Sequence, residues 1–165
     1  MAPTSLSSQA VEPVENYNYR YVILGTLIWT FAYLAMHAIV HKIAMTFNAK
    51  YRAYDKKDAA EYRQYVVSPI HSLSAVIFAI CAMFFVCGND GEGLITVFDN
   101  FECFDTVRYI HYWALTNTCG FFIVDGGYSA IVVGRHNSLD KQMYVHHGLG
   151  FVTFYMTIAF NNYMT

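Results

Sequence analysis

Long stretches without formal charge constrain this chain more than any other feature. Four of them follow one another, at 21–41, 64–89, 109–134 and 142–165, and Asp125 is the only formally charged residue inside any of them. Each stretch reaches the roughly 20 residues that an α-helix needs to cross a hydrocarbon core of about 30 Å. The charge pattern therefore predicts an all-α fold, a polytopic transmembrane helical bundle of about four spans.

The composition agrees with burial in lipid. Hydrophobic residues make up 56% of the chain and charged residues 13%, against about 25% charged residues in an ordinary soluble protein. A soluble fold so poor in charge would expose large apolar patches and would tend to aggregate. The net charge of −2 gives no electrostatic reason to expect a nucleic-acid partner.

Basic residues predict how the spans are oriented. The segment from Lys42 to Arg63 holds six of the ten Lys and Arg residues, and Arg135 and Lys141 follow the third span. Only Arg20 and Arg108 lie on the other side. Four spans place the two basic segments on the same face, in agreement with the positive-inside rule.

The first residues differ from the rest of the chain. Residues 1–19 form a polar amino-terminal arm, and residues 20–165 form the predicted membrane domain. The arm contains Glu12 and Glu15 but no Lys or Arg. It therefore lacks the basic region of a secretory signal and the Arg-rich character of a mitochondrial presequence.

Ionisable side chains gather in the half of the spans nearer the basic face. A rise of about 1.5 Å per residue places six of them there: His37, His41, His71, Asp125, His146 and His147. Such residues are costly inside a membrane unless they face protein, a partner or water, so the layer predicts a lipid-binding cavity. Ser68 is expected to line the same cavity. Each histidine could instead lie in the headgroup region with satisfied hydrogen bonds.

Asp125 is the deepest charged residue of this layer, and Gly126 and Gly127 follow it directly. A carboxylate at that depth predicts a polar role in the protein interior. The two glycines predict a close approach between helices rather than a catalytic turn.

The histidine spacing fits a metal site only in part. His37 and His41 are four residues apart, as a metal-binding pair on one helix face requires. Membrane di-iron enzymes need several HxxHH boxes, and Met143 occupies the first position of the box that would end at His146 and His147. We expect no metal site and no cofactor other than a bound phospholipid or sphingolipid. Nothing in the sequence excludes a b-type haem between two spans, which would need only two histidines.

Three segments resemble the TLC domain family of polytopic membrane proteins. They are RQYVVSPIHSLSAVIF from Arg63 to Phe78, FFIVDGGYSAIVV at 121–133, and KQMYVHHGLGFVTFYM from Lys141 to Met156. The resemblance lies in the order of a serine and histidine motif, an aspartate in the next span and a His-His pair that opens the one after. It extends over most of the chain.

The resemblance implies roles for single residues. In the ceramide synthase branch, the residues that match His146 and His147 are needed for acyl transfer from acyl-CoA to a sphingoid base, with a histidine as general base or nucleophile. Asp125 would then orient or polarise the reacting groups. TLC domains normally continue with further spans, whereas this sequence stops at Thr165. We therefore expect only the amino-terminal part of the domain and an incomplete cavity.

These expectations favour a lipid-binding accessory or structural subunit of a larger membrane complex, such as a respiratory complex or ATP synthase. The first alternative is a ceramide-synthase-like lipid acyltransferase that uses His146 and His147, and the second is a lipid sensor or transporter. The expected partners are membrane lipids and other membrane subunits. The expected location is the mitochondrial inner membrane for a complex subunit and the endoplasmic reticulum otherwise.

Overall fold

The computed structural model describes residues 19–81, 109–134 and 138–160. These residues form four long helices: α1 at Tyr19–Phe47, α2 at Lys56–Cys81, α3 at Tyr109–Tyr128 and α4 at Ser138–Phe160. A short 3-10 helix at Tyr51–Ala53 and a π-helical turn at Ser129–Val133 complete the described part, which contains no strand. The all-α prediction is confirmed. Residues 1–18 of the predicted arm lie outside the described residues, as do Arg108, Arg135 and 161–165.

Two of the four helices are long and apolar enough to cross a membrane, namely α1 from Arg20 to Phe47 and α2 from Lys56 to Cys81. Only 28% and 11% of their most apolar windows are buried inside the protein, whereas the core helix of a soluble domain is mostly covered. In α3 and α4, polar residues interrupt the apolar sequence, so the four-span count stays a prediction for them.

The connection between α1 and α2 is short and ordered. The Asn48 side chain accepts a hydrogen bond from the Tyr51 backbone at 3.0 Å, and Tyr51 itself is 1% exposed. The Asp55 carboxylate accepts a bond from the Asp58 backbone at 2.8 Å, so it caps the amino-terminal end of α2. A connection of this length makes α1 and α2 neighbours of opposite direction.

Helix α3 lies at the centre of the bundle and packs against α1, α2 and α4. The main core cluster unites three helices through Tyr33 of α1, Val67 of α2, and Phe121 and Val124 of α3. The same three helices carry four of the six ionisable side chains of the predicted layer, namely His37, His41, His71 and Asp125.

Two glycines allow α1 and α3 to pack closely. A Cβ atom on Gly120 would lie 2.6 Å from the Trp29 Cβ and 2.8 Å from the Thr30 backbone nitrogen. A Cβ atom on Gly25 would lie 3.0 Å from the Thr116 hydroxyl. Small residues at such positions let helix backbones approach each other.

The prediction that Gly126 and Gly127 provide this close approach is wrong. A Cβ atom on Gly126 would have no neighbour nearer than 3.9 Å, and one on Gly127 would meet nothing within 4 Å. Both lie near the end of α3 on faces where the neighbouring helices are farther away. The contact occurs instead two turns earlier in α3.

Candidate functional site

A first group of polar side chains joins three helices around Asp125. We call it the Asp125 cluster, and its members are Gln64 of α2, Asp125 of α3, Ser129 of the π-helical turn and His147 of α4. The Gln64 amide donates to Asp125 Oδ1 at 2.8 Å and also to the Ser129 hydroxyl. Asp125 is 5% exposed, so the carboxylate lies in the interior, and the π-helical turn brings Ser129 next to it.

His147 approaches the same carboxylate from α4. Its Nδ1 lies 3.3 Å from Asp125 Oδ2, which is an ion-pair distance, but the alignment is not that of a hydrogen bond. The imidazole stacks on Phe122, with centroids 5.0 Å apart. The ring is therefore held against α3 beside a carboxylate, while its buried Nδ1 keeps an unused hydrogen-bonding position.

A cleft of about 300 Å³ opens beside this cluster. It is lined by side chains of α2, α3, the π-helical turn and α4: Glu61, Gln64, Tyr65, Ser68, Phe121, Asp125, Ser129, Val133, Met143, Tyr144 and His147. Three of the residues predicted to line a cavity, Ser68, Asp125 and His147, thus share one cleft. An imidazole beside a carboxylate can accept, hold or transfer a proton.

A second group is buried deeper in the bundle. We call it the Tyr33 cluster, and its members are Tyr33 of α1, His71 and Ser74 of α2, and Asn117 of α3. The Tyr33 hydroxyl donates to Asn117 Oδ1 at 2.6 Å and lies 3.1 Å from His71 Nδ1. The Asn117 amide donates to the Ser74 hydroxyl at 3.0 Å. Since the Tyr33 proton is used on Asn117, Nδ1 of His71 donates to the Tyr33 oxygen.

His71 also connects the two groups. Its ring stacks on Phe121 with centroids 3.9 Å apart and an interplanar angle of 7°. The same Phe121 ring also meets the His147 ring at an interplanar angle of 62°, with centroids 6.3 Å apart. The predicted layer residues His71 and His147 are therefore separated by one aromatic ring, and His71 belongs to a satisfied hydrogen-bond network rather than to the cleft.

A third group lies next to the α1–α2 connection. We call it the Arg63 cluster, and its members are His41 of α1, Tyr51 of the 3-10 helix, Arg63 of α2 and Tyr128 of α3. Arg63 Nε donates to the Tyr128 hydroxyl at 2.7 Å, and its Nη1 donates to the Tyr51 hydroxyl at 2.8 Å and to His41 Nδ1 at 3.1 Å. His37 stacks on Tyr128, with centroids 4.2 Å apart.

The predicted single layer is thus divided among three sites. His37 and His41 lie at the Arg63 cluster, His71 in the Tyr33 cluster, and Ser68, Asp125 and His147 at the cleft. His146 is exposed, and its ring contacts the aromatic residues of α3 and α4 only at 5.6 Å or more between centroids. The structure therefore separates the two members of the His-His pair.

Several members of these groups were not predicted from the sequence. Tyr33 and Asn117 were not expected to be functional because a tyrosine and an asparagine inside apolar stretches carry no spacing signal. Tyrosines such as Tyr51 and Tyr128 are common at membrane interfaces, so nothing in the sequence indicated that they bind Arg63. The sequence signal that could have found Gln64 is its place beside Arg63, at the start of an uncharged stretch.

Within residues 19–81, 109–134 and 138–160, no group of three or more His, Cys, Asp or Glu side chains is placed to hold a metal ion. His41 Nδ1 accepts a hydrogen bond from Arg63. In the pair of His37 and His41, the Nδ1 atom of His41 is therefore already occupied by a hydrogen bond.

Comparison of the chain with models of known protein families, with curated proteins and with solved structures finds no match.

Proposed function

We propose that the chain is a TLC-like integral membrane protein that binds lipid and acts as an accessory subunit of a larger membrane complex. The observation that carries the proposal is the outward apolar surface of α1 and α2. Phe31, Ile39 and Leu73 are 67%, 57% and 61% exposed, and most of each apolar window is uncovered. Surfaces of this size need lipid or the helices of a partner.

Lipid binding is supported by an apolar groove of about 800 Å³ between α1 and α2. It is lined by Met36, Ile39, Val40, Ile43, Ala44, Phe47, Asn48, Ala49, Lys50, Tyr62, Val66 and Ile70. The aliphatic members fit acyl chains, and Lys50 and Asn48 at one end fit a headgroup. A groove of this form suits a lipid that stays bound and fills the space between subunits.

The subunit function is supported by the fact that the polar sites of the bundle are not covered by its own described helices. The Asp125 cleft, the Arg63 cluster and the apolar groove all reach the surface of the described bundle. Polar side chains at membrane depth need protein, lipid or water around them. A respiratory or ATP-synthesising complex of the mitochondrial inner membrane would cover them, and in the endoplasmic reticulum a different assembly would have to do so.

The second candidate function is lipid acyl transfer, which the contact between His147 and Asp125 favours. An imidazole oriented by a carboxylate is a common general base. In this candidate His147 removes a proton from the acyl acceptor as the acceptor attacks the thioester carbonyl of acyl-CoA. Asp125 stabilises the imidazolium, which returns the proton to the CoA thiolate as the C–S bond breaks. His146 lies outside the cleft, so it would take no part.

The experiment that tests the subunit proposal is native mass measurement in mild detergent, with identification of every co-purifying protein and lipid. We expect a particle far heavier than the 18.8 kDa chain with its micelle, and a constant set of partner proteins. A small particle without partners would overturn the proposal. A small particle that retains acyl-CoA would favour acyl transfer, with activity lost in His147→Ala and kept in His146→Ala.

A further inference from the structure

A pocket of about 600 Å³ lies beside the α1–α2 connection, separate from the Asp125 cleft. Helix α1, the 3-10 helix, the start of α2 and the end of α3 form its walls. Its polar end carries Arg52, Lys56 and Arg63, and its lining includes one carboxylate, Asp55. Three cationic side chains against one carboxylate leave the polar end with a net positive charge.

Arg63 is the least exposed of the three cationic side chains, since Arg52 and Lys56 are both exposed. Its three described hydrogen bonds go to two tyrosine hydroxyls and an imidazole nitrogen, and its guanidinium also lies 5.6 Å from the centroid of the Tyr128 ring. Each of these partners accepts the hydrogen bond from Arg63 as an uncharged group. Within the described residues no carboxylate forms an ion pair with Arg63. A half-buried guanidinium held in this way is stabilised by an anion.

His37 supplies a second, independent indication of a ligand. The side chain lines the pocket and is 5% exposed, yet its Nδ1 is buried without a hydrogen-bond partner. Stacking on Tyr128 holds the ring in place. A buried polar nitrogen of this kind costs free energy unless a partner reaches it, and a bound oxygen atom would be such a partner.

The other end of the pocket is apolar and opens sideways. Leu34 and Ala38 of α1 and Val132 of the π-helical turn line it, and Leu34 and Val132 are 45% and 47% exposed. Leu34 lies seven residues from His41, or about 10 Å along the helix. One pocket therefore combines a cationic end with an apolar exit toward the surroundings of α1, which is the shape of a phosphate group joined to acyl chains.

We propose that this pocket binds an anionic phospholipid, whose phosphate lies against Arg63 and His37 and whose acyl chains leave past Leu34 and Val132. The inference rests on the proposed lipid-binding function and names the class of lipid. Basic pockets between transmembrane helices recognise anionic headgroups in this way. A free phosphate ion would use the cationic end but would leave the apolar end unfilled.

The test is a competition read by native mass spectrometry. The protein is purified in mild detergent as the full chain with any subunits that accompany it, and is incubated with equal amounts of phosphatidylglycerol and phosphatidylcholine. We expect bound phosphatidylglycerol to predominate. Arg63→Gln should lower the ratio of the two bound lipids about tenfold, the effect of losing one charge-assisted hydrogen-bonding group.

Two further variants complete the design. His37→Phe keeps an aromatic ring against Tyr128 and removes Nδ1, so it should lower the same ratio even if Arg63→Gln fails to fold. Lys57→Gln is the matched control, since it removes a positive charge from the exposed start of α2 without touching the pocket. It should leave the ratio unchanged.

Three results would overturn the inference: no preference for phosphatidylglycerol, a preference that survives both Arg63→Gln and His37→Phe, or equal loss in Lys57→Gln. Displacement of phosphatidylglycerol by millimolar inorganic phosphate would also overturn it in favour of a free-phosphate site. The proposed function fails differently, through a small native particle without partners. Phosphatidylcholine bound equally well within a large complex would refute the pocket and keep the subunit.

Discussion

Tyr33 and Asn117 show how one hydroxyl group can hold a buried polar network together. Asn117 is 0% exposed and Tyr33 is 2% exposed, and their hydrogen bond of 2.6 Å joins α1 to α3. The same hydroxyl lies 3.1 Å from His71 of α2. Three helices therefore meet at a single oxygen atom.

At the residue scale, we predict that Tyr33→Phe destabilises the protein by about 1–3 kcal/mol, because it leaves the Asn117 carbonyl and His71 Nδ1 buried without partners. The measurement is thermal unfolding in detergent. Tyr65→Phe is the matched control: its hydroxyl lies on a residue that is 71% exposed, so its removal should change the unfolding midpoint little. Equal midpoints for Tyr33→Phe and the unaltered protein would contradict the network.

At the element scale, the central position of α3 depends on its glycine contact with α1. The Gly120 backbone lies so near Trp29 and Thr30 that a methyl group has no room. The Tyr33 cluster depends on this contact, since Tyr33 lies about one turn from Trp29 on α1. The distance between α1 and α3 therefore also sets the geometry of the Tyr33 cluster.

We predict that Gly120→Ala destabilises the bundle by about 1–3 kcal/mol, the usual cost of forcing extra volume into a packed contact. Gly127→Ala is the matched control in the same helix, because its Cβ would meet nothing within 4 Å and alanine favours helix. It should leave stability unchanged or slightly higher. Unfolding midpoints of the two variants, measured in the same detergent, check the prediction. Equal unfolding midpoints for Gly120→Ala and Gly127→Ala would contradict the prediction, because α1 and α3 could then move apart at little cost in free energy.

At the scale of the whole molecule, the exposed apolar faces of α1 and α2 support the proposed membrane environment. Leu73 lies near the middle of the apolar part of α2 and is 61% exposed. In water an arginine at such a position would be tolerated or would improve solubility. In a bilayer it would cost about 2.5–3.5 kcal/mol on insertion scales.

We therefore predict that Leu73→Arg lowers the amount of protein that stays in the membrane fraction after an alkaline carbonate wash. Leu73→Ala, which shortens the side chain without adding charge, should remain in that fraction like the unaltered chain. A larger soluble yield of correctly folded Leu73→Arg would contradict a membrane-spanning α2.

Much of the fold could be predicted from the sequence. Each of the four helices overlaps one of the four stretches without formal charge, and α1 and α2 are long and apolar enough to cross a membrane. The absence of charge along a stretch can be read from the sequence without knowing how the helices pack. The distance of each ionisable residue from the basic segments also follows from its position in the sequence. The structure brings two of these residues, Asp125 of α3 and His147 of α4, together at the cleft.

Only the tertiary structure decided which face of each helix is buried. His146 and His147 are adjacent in sequence, but one residue turns about 100° around a helix axis, so one is exposed and the other lies beside Asp125. Gly126 and Gly127 look like packing glycines and are not, whereas Gly25 and Gly120 are. The sequence by itself determined that helices form and where polar groups occur along them. Which polar groups meet depended on the rotation and spacing of packed helices, which no single helix specifies.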